Sequence, residues 1–309
     1  MSSAKVKNII REMGPLIGLV LLFVVISVLN DSFIDPSNLK NLARQISINA
    51  LIAFGMTFVI LTGGIDLSVG SILALSSALM ASMITKGTNP ELAIVLSAVI
   101  GILLGTVNGV IISYGKVAPF IATLATMTIY RGATLVYTNG NPISGLSDDP
   151  IFTGFGQGFI LDIPVPAIIM LIAFFILFFI LKKTPLGRQT YAVGGNEKVS
   201  YISGIKIKIF AYALTGCLCA LAGAILTARL NSAQPTAGMG YELDAIAAVV
   251  LGGTSLAGGK GRISGTLIGA LIIGTLNNGL NILNVSSFYQ QVVKGVVILL
   301  AVLMDRKKN

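Results

Sequence analysis

One stretch decides the fold: IPVPAIIMLIAFFILFFIL, at residues 163–181, runs for nineteen residues without a charge. A transmembrane helix needs about 20 consecutive, mainly apolar residues, so this run has the length of a membrane span. The composition of the whole chain also indicates a membrane protein, because 54% of its 309 residues are hydrophobic, 11% are charged and the mean hydropathy is +0.89. A soluble protein with a large core does not explain such runs. The sequence therefore predicts an all-α polytopic membrane protein, with residues 1–309 in a single transmembrane domain.

Windows of high hydropathy predict about ten transmembrane helices, at residues 15–30, 46–62, 67–85, 92–113, 118–137, 163–181, 209–228, 243–257, 264–283 and 288–304. The windows 46–62 and 243–257 are short and bounded by glycine, so tilted, broken or re-entrant segments are alternatives there. No small-residue cleavage site follows the first window, which predicts a retained span. Ten spans place both termini on the same side of the membrane.

The basic residues predict which side that is. With the N-terminus inside, the cytoplasmic segments hold 15 of the 21 Lys and Arg residues, in agreement with the positive-inside rule. Both termini are therefore predicted to be cytoplasmic, and the acidic, loop-forming connector 138–162 periplasmic, as a docking surface or a flexible linker. The net charge of +9 lies in short connectors and not on a basic face with aromatic residues. No nucleic-acid partner is predicted.

The longest polar interruption, KKTPLGRQTYAVGGNEKVSYISGIKIK at residues 182–208, holds six Lys and Arg residues and one Glu. Asn196 suits a helix N-cap, Glu197 the first turn and Gly204 the C′ position, while Val199 and Ile202 share one face. These features predict a two-turn amphipathic helix that is presented to a cytosolic partner. A solvated basic loop that only sets the topology is the alternative.

Two pieces of sequence recur. GGIDLSVG at residues 63–70 matches GGTSLAGG at residues 252–259, and GTVNG at residues 105–109 resembles GTLNNG at residues 274–279. Such repeats are typical of transporters that are built from two related halves. The predicted topology places the first pair on the same side and inverts the second pair. Either one glycine-rich segment is re-entrant or one match arises by chance.

The chain offers little catalytic chemistry. It has no His, and its two cysteines, Cys217 and Cys219, point to different faces of an apolar helix, so catalysis by histidine, a His-ligated metal and a disulfide are not predicted. The near-match to a phosphate-binding loop at residues 253–262, GTSLAGGKGR, has Thr254 in place of Gly and Gly261 in place of Ser or Thr. The sequence predicts neither an enzyme nor a cofactor in this chain.

The polar groups inside the predicted spans are mostly amides and hydroxyls, which suit a path for a neutral polar solute. The candidates for this path are Asn49, Thr57, Asn108, Thr126, Asn277, Asn278 and Asn281. Hydrogen bonds between neighbouring helices are the alternative role.

The charged residues within or near the spans favour structural roles. Arg131 and Lys294 lie in the outer halves of their spans, where they can snorkel or pair with an external carboxylate. Asp66 lies at a span end, where it is predicted to cap the following helix through the amides of Ser68 and Val69.

Four stretches carry a resemblance: GGIDLSVGS at 63–71, AVGGNEKVSYISGI at 192–205, SAQPTAGMGYELDAIAAVVLGGTSLAGGKGRISGTLIGA at 232–270 and NNGLNILNVSSFYQQVVKGVVILLAVL at 277–303. The chain resembles the permease subunits of bacterial ribose import systems, in the carbohydrate branch of the branched-chain type ATP-binding-cassette permeases. The likeness covers nearly the whole chain and is most specific after residue 190.

This resemblance implies a type II importer fold with two inverted halves, in a homodimer with a central sugar path in the bacterial inner membrane. It implies two protein partners: a cytoplasmic ATPase with two nucleotide-binding domains, which binds ATP and Mg, and a periplasmic ribose-binding protein. It also implies that residues 195–204 are the coupling helix that fits the ATPase. The coupling residues are then Gly195, Asn196, Glu197, Val199, Ile202, Ser203 and Gly204.

A secondary sugar transporter driven by H⁺ or Na⁺ through Asp66, Glu242 or Asp244 is the alternative function. The sequence places no acid clearly in the middle of the membrane, which disfavours it.

Overall fold

The computed structural model describes residues 3–146, 148–196 and 207–306, and this part of the chain contains twelve α-helices. They are α1 (Ser3–Leu29), α2 (Pro36–Leu61), α3 (Val69–Thr85), α4 (Pro90–Ser113), α5 (Pro119–Thr138), α6 (Pro150–Gln157), α7 (Val165–Lys183), α8 (Pro185–Gly195), α9 (Ile207–Leu230), α10 (Tyr241–Leu251), α11 (Ile263–Ile282) and α12 (Ser287–Arg306). Each of the ten hydropathy windows falls on a helix. Helices α2, α4, α7, α9 and α11 are long and apolar enough to cross a membrane.

Proline sets the start of several helices, because its missing N–H and its fixed φ suit the first helical position. Pro36, Pro90, Pro119, Pro150 and Pro185 are the first residues of α2, α4, α5, α6 and α8. Side chains cap some of these starts as well. The side chain of Asn89 accepts from the amide of Glu91 at 3.1 Å, and that of Asp149 accepts from the amide of Ile151 at 2.7 Å.

Two predicted windows differ from the helices that contain them. The window 46–62 covers the C-terminal part of α2, which is one continuous helix of 26 residues. The window 243–257 corresponds to α10, which ends at Leu251 after 11 residues. Eleven helical residues extend only about 16 Å, roughly half the thickness of a bilayer core. Helix α10 alone is therefore too short to span a membrane.

The connector 138–162 contains more regular structure than predicted. Helix α6 lies in the segment 138–162, whose strand β1 (Ile143–Ser144) pairs antiparallel with β4 (Ser232–Ala233). Strands β2 (Phe159–Ile160) and β3 (Ile163–Pro164) form a second pair. Lys40 of α2 forms an ion pair with Asp162 and stacks over the ring of Phe159. The segment is thus tied to α2 and to β4, which disfavours the flexible linker among the two predicted alternatives.

Helices α2 and α9 form the centre of the molecule. Nearly all of the side chains from Ile46 to Leu61 are buried, and α2 contacts α7, α9, α10 and α11. Helix α9 packs most closely on α4, where a Cβ on Gly101 or Gly105 would overlap the backbone of α9. The four-residue spacing of Gly101 and Gly105 in the sequence is typical of such close helix packing.

Helices α5 and α12 lie at the edge of the bundle and present large exposed faces. Helix α5 packs on α3 and α4, and α12 packs on α10. Ile129 of α5 is 61% exposed and Val292 of α12 is 63% exposed. One side of each helix is therefore available to lipid, to water or to another chain.

Helices α3 and α10 begin inside the bundle and not at its ends. The carbonyl of Ile65, before α3, accepts from the hydroxyl of Thr123 at 3.2 Å, one turn into α5. A Cβ on Gly70, in the first turn of α3, would overlap the carbonyl oxygen of Gly238, which precedes α10. The first turns of the two helices thus approach each other at Gly70 and Gly238. This arrangement explains how acidic residues that seem to lie at span ends become buried.

Candidate functional site

The two glycine-rich turns of the first sequence match lie side by side. Helix α2 ends two residues before Gly63 (φ 76°), and α10 ends two residues before Gly253 (φ 85°). Both glycines have the left-handed conformation that is common after a helix C-terminus. The amide of Gly64 donates to the carbonyl of Val59 at 3.0 Å, and that of Thr254 donates to the carbonyl of Val249 at 3.2 Å. The two matching sequences therefore form the same kind of left-handed turn at a helix C-terminus.

Helix α8 contacts both of these turns. The amide of Gly259 donates to the carbonyl of Leu61 at 3.0 Å, and a Cβ on Gly194 would overlap both of these backbone atoms. The hydroxyl of Tyr191 donates to the carbonyl of Gly261 at 2.8 Å. Burial raises the pKa of the Tyr191 phenol above its ordinary value of 10.0. The hydroxyl, already protonated at neutral pH, thus remains a donor at more alkaline pH as well. We call the contact of Gly194, Leu61 and Gly259 the glycine junction.

The glycine junction lies directly before the predicted coupling segment. Gly195 is the exposed last residue of α8, and Asn196 has the extended backbone (φ −157°, ψ 97°) that suits the N-cap of a following helix. The other predicted coupling residues, Glu197, Val199, Ile202, Ser203 and Gly204, lie outside the described residues. The coupling role of residues 195–204 stays a prediction.

One buried polar cluster surrounds Asp66, which is fully buried. Its Oδ1 accepts from the amide of Ser68 at 2.9 Å and from the hydroxyl of Ser68 at 2.6 Å, and Asn108 Nδ2 donates to that hydroxyl at 2.7 Å. The Ser68 part of the predicted cap is confirmed, whereas no hydrogen bond joins Asp66 to the described amide of Val69. Asp66 Oδ2 and Asn108 Oδ1 have no hydrogen-bond partner among the described residues.

A second cluster also contains a buried aspartate and an asparagine. Asn277 Nδ2 of α11 donates to Asp244 Oδ2 at 3.3 Å, and Lys294 Nζ of α12 forms an ion pair with the same oxygen at 3.0 Å. The side chain of Asp244 is 4% exposed and that of Lys294 is 29% exposed. Lys294 thus pairs with a carboxylate, which is one of the two roles predicted for it, although this carboxylate is buried and not external. Asn108 and Asn277, which match each other in the sequence repeat, thus each belong to a cluster with a buried aspartate.

The remaining path candidates are dispersed. Thr57 of α2 bonds the hydroxyl of Thr266 at 2.8 Å, and Asn278 exchanges two amide hydrogen bonds with Asn38, at 2.9 and 3.1 Å. Asn281 is exposed and accepts from Gln290 at 2.9 Å. Asn49 and Thr126 are buried. The structure joins several of these side chains to neighbouring helices and does not bring the set together, and their role in a sugar path stays a prediction.

A cavity with a volume of about 390 Å³ opens beside α5. It is lined by Ser71, Met127, Thr128, Arg131, Gly132, Leu135, Met239, Gly240 and Glu242. Arg131 Nη1 donates to the carbonyl of Pro235 at 2.6 Å. Arg131 and Glu242 are more than 100 positions apart in the sequence, and only the packing of α5 beside the start of α10 brings them together.

In the described ranges, no group of three or more His, Cys, Asp and Glu side chains converges as a metal site would. Cys217 and Cys219 are free thiols. The polar chemistry of the site thus consists of amides, hydroxyls and a few charged groups.

Known proteins resemble the chain over nearly its whole length. It is 67% identical over 305 residues to the ribose import permease protein RbsC of Bacillus subtilis (strain 168), covering 98% of this chain and 95% of that protein. It is 55% identical to RbsC of Escherichia coli (strain K12), covering 97% and 95%. The D-allose transport system permease protein AlsC of the same strain is 45% identical, covering 89% and 85%. No solved structure gives a significant match.

The family model described as "Branched-chain amino acid transport system / permease component" matches residues 38–302. This range runs from the start of α2 almost to the end of α12, and it includes both buried clusters and the glycine junction. The chain belongs to the family of permease components of branched-chain type transport systems.

Proposed function

We propose that this chain is the membrane-spanning permease subunit of an ATP-driven importer, which carries ribose or a closely related neutral sugar from the periplasm to the cytoplasm. The observation that carries the proposal is the identity of 67% and 55% to two ribose import permeases over almost the entire chain, against 45% to a D-allose permease. A separate cytoplasmic ATPase hydrolyses ATP, and a periplasmic binding protein captures the sugar.

The working unit is a homodimer with the sugar path between its two copies. Helix α5 supports this arrangement, because it combines an exposed face with Thr128, Arg131 and Tyr137 at positions where lipid would meet polar groups. It is also absent from the five helices that are apolar enough to span lipid on their own. An edge helix of this polarity suits an aqueous path or a protein interface better than the lipid phase.

Helices α2–α5 and α9–α12 form two halves of inverted topology. The contacts within one half match those of the other, since α3 packs on α4 and α5 as α10 packs on α11 and α12. Contacts between the halves match as well, because α9 packs on α3 and α4 as α2 packs on α10 and α11. The paired clusters of Asn108 with Asp66 and Asn277 with Asp244 support the same relation.

Ten membrane-embedded helices place both termini in the cytoplasm, in an inner-membrane protein surrounded by lipid. The basic residues of the segment 182–208 and of both termini support this orientation. Residues 195–204 bind the ATPase, and α8 links them through the glycine junction to the ends of α2 and α10.

An ion-coupled sugar transporter is the second candidate. The observation that favours it is Asp66, a fully buried carboxylate with one unpartnered oxygen among the described residues, because such groups bind protons or cations in carriers. The similarity to import permeases favours the first candidate.

Uptake by the reconstituted complex separates the two candidates. We expect vesicles with this chain, its ATPase and its binding protein to accumulate ribose only when ATP reaches the ATPase, and to continue when a protonophore and a sodium ionophore collapse the ion gradients. The control is an ATPase variant that cannot hydrolyse ATP. Uptake that continues with this variant and stops with the ionophores would establish the ion-coupled carrier instead.

Thiol labelling in intact cells tests the orientation. We expect Leu161→Cys, which replaces a residue that is 93% exposed, to react with an impermeant reagent from the periplasm. Lys183→Cys, at the exposed end of α7, should react only after the cells are opened. Both variants need a background without Cys217 and Cys219. Reaction of both positions in intact cells would contradict the proposed orientation.

A further inference from the structure

The cavity beside α5 lies in the middle of the membrane in the proposed topology. Thr128 is nine residues after Pro119, about 14 Å along a helix that is about 30 Å long, and Arg131 is one turn further. A charged side chain at the centre of a span is unfavourable in lipid. Because Arg131 lines this cavity and its neighbours Thr128, Gly132 and Met239 are exposed, this face suits water or protein better than lipid.

Arg131 and Glu242 line the same cavity without forming an ion pair with each other, although both residues are described. The guanidinium is held by the carbonyl of Pro235. The carboxylate lies beside the start of α3, since a Cβ on Gly70 would be 3.2 Å from Glu242 Oε2. A sugar hydroxyl donates to a carboxylate and accepts from a guanidinium at the same time, so hydroxyls suit the space between the two charges.

The other lining groups complete a surface for a sugar. The hydroxyl of Ser71 donates to the carbonyl of Ser68 at 2.8 Å, and that of Thr128 donates to the carbonyl of Leu124 at 3.1 Å. Their oxygens therefore still offer lone pairs to a ligand. Met127, Leu135 and Met239 supply an apolar wall for the C–H face of the ring. A volume of about 390 Å³ falls in the range of roughly 300 to 1,000 Å³ that ligand pockets occupy.

We infer that this cavity is a station on the solute path, where Arg131 and Glu242 bind the hydroxyls of a neutral monosaccharide during its passage. The inference rests on the proposed function, because it assumes that the face of α5 borders the path. The station lies where the first turns of α3 and α10 meet, so both halves of the chain contribute to it.

Replacement of Glu242 by Gln tests the station, since Gln keeps the size and removes the charged acceptor. In vesicles with the whole complex, we expect the maximal rate of ATP-driven ribose uptake to fall by about tenfold or more, the loss that follows from one missing hydrogen bond to a charged group. The concentration of loaded binding protein that gives half-maximal uptake should stay within about twofold, because capture precedes the station. Asp31→Asn, which removes an exposed carboxylate outside the cavity, is the matched control.

Thiol labelling gives a readout that does not depend on the Glu242 variant. In a background without Cys217 and Cys219, Thr128→Cys should react with a water-soluble reagent, and ribose should slow the reaction while the complex turns over. Phe175→Cys is the control, because Phe175 is 65% exposed on the charge-free part of α7 and faces lipid in the proposed topology. It should react little, with or without ribose.

The outcomes distinguish the two proposals. If the unmodified complex does not take up ribose with ATP, the proposed function fails. If it does so, but Glu242→Gln transports at the full rate and ribose does not protect Thr128→Cys, the station is overturned and the proposed function stands.

Discussion

Replacing Gly194 with Ala should destabilise the permease and stop transport. The new Cβ would overlap the carbonyl oxygen of Leu61 and the amide of Gly259, and backbone atoms cannot turn away as a flexible side chain does. The overlap would also break the hydrogen bond between these two groups. Overpacking of this kind costs about 1 to 3 kcal/mol, and a forced backbone shift can cost more. We expect a clearly lower melting temperature of the solubilised chain and little remaining uptake.

The adjacent Gly195 provides the matched control, because nothing lies within 4 Å of a Cβ at this position. Ala is a better helix former than Gly by about 1 kcal/mol, so helix propensity alone predicts that both variants stabilise α8. The glycine junction instead predicts opposite effects on the melting temperature. Equal melting temperatures for Gly194→Ala and Gly195→Ala would show that the junction does not hold α8 in place.

Replacing Lys294 with Met should strongly destabilise the folded chain and lower its melting temperature. It removes the charge that compensates Asp244, whose side chain is 4% exposed, and leaves that carboxylate with the amide of Asn277 alone. Removing one partner of a buried ion pair costs about 3 to 5 kcal/mol, because the other charge stays buried. Asp244→Asn should cost less, since Lys294 is 29% exposed and its long side chain can turn toward water.

The double variant Asp244→Asn, Lys294→Met is the control, since it removes both charges together. We expect it to recover most of the yield of monodisperse protein and most of the melting temperature that Lys294→Met loses. A double variant as unstable as Lys294→Met would mean that Lys294 acts through packing and not through its charge.

The hydropathy of the sequence was sufficient to locate ten of the twelve described helices, but not α6 and α8. An apolar run longer than a core helix needs must leave water, and once in lipid its backbone must satisfy its own hydrogen bonds, so all ten windows predict helices correctly. Proline then gives several of the starts, because its ring clashes with a preceding helical turn. Four-residue spacing of Gly101 and Gly105 correctly predicts a close helix contact, although not the identity of α9 as the partner.

The burial of the polar residues inside the bundle could not be predicted from hydropathy. Asp66 and Asp244 follow turns in the sequence and seem to lie at span ends, yet both are buried. Hydropathy windows measure the composition of a segment and cannot detect that a turn enters the bundle before its helix begins. For the same reason, Asn108 and Asn277 could be selected from the sequence as buried polar groups, but not their hydrogen-bond partners.

The sequence by itself determined the class of fold, the positions of ten of the twelve described helices and, through its similarity to known permeases, the family. These properties depend on composition, local periodicity and shared ancestry, and all three can be read directly from the sequence. Only the tertiary structure decided that α8 joins the turns after α2 and α10, that Lys294 neutralises Asp244, and that Arg131 and Glu242 share one cavity. Each of these contacts joins residues that are distant in sequence, and its existence depends on how the helices pack, which no local pattern specifies.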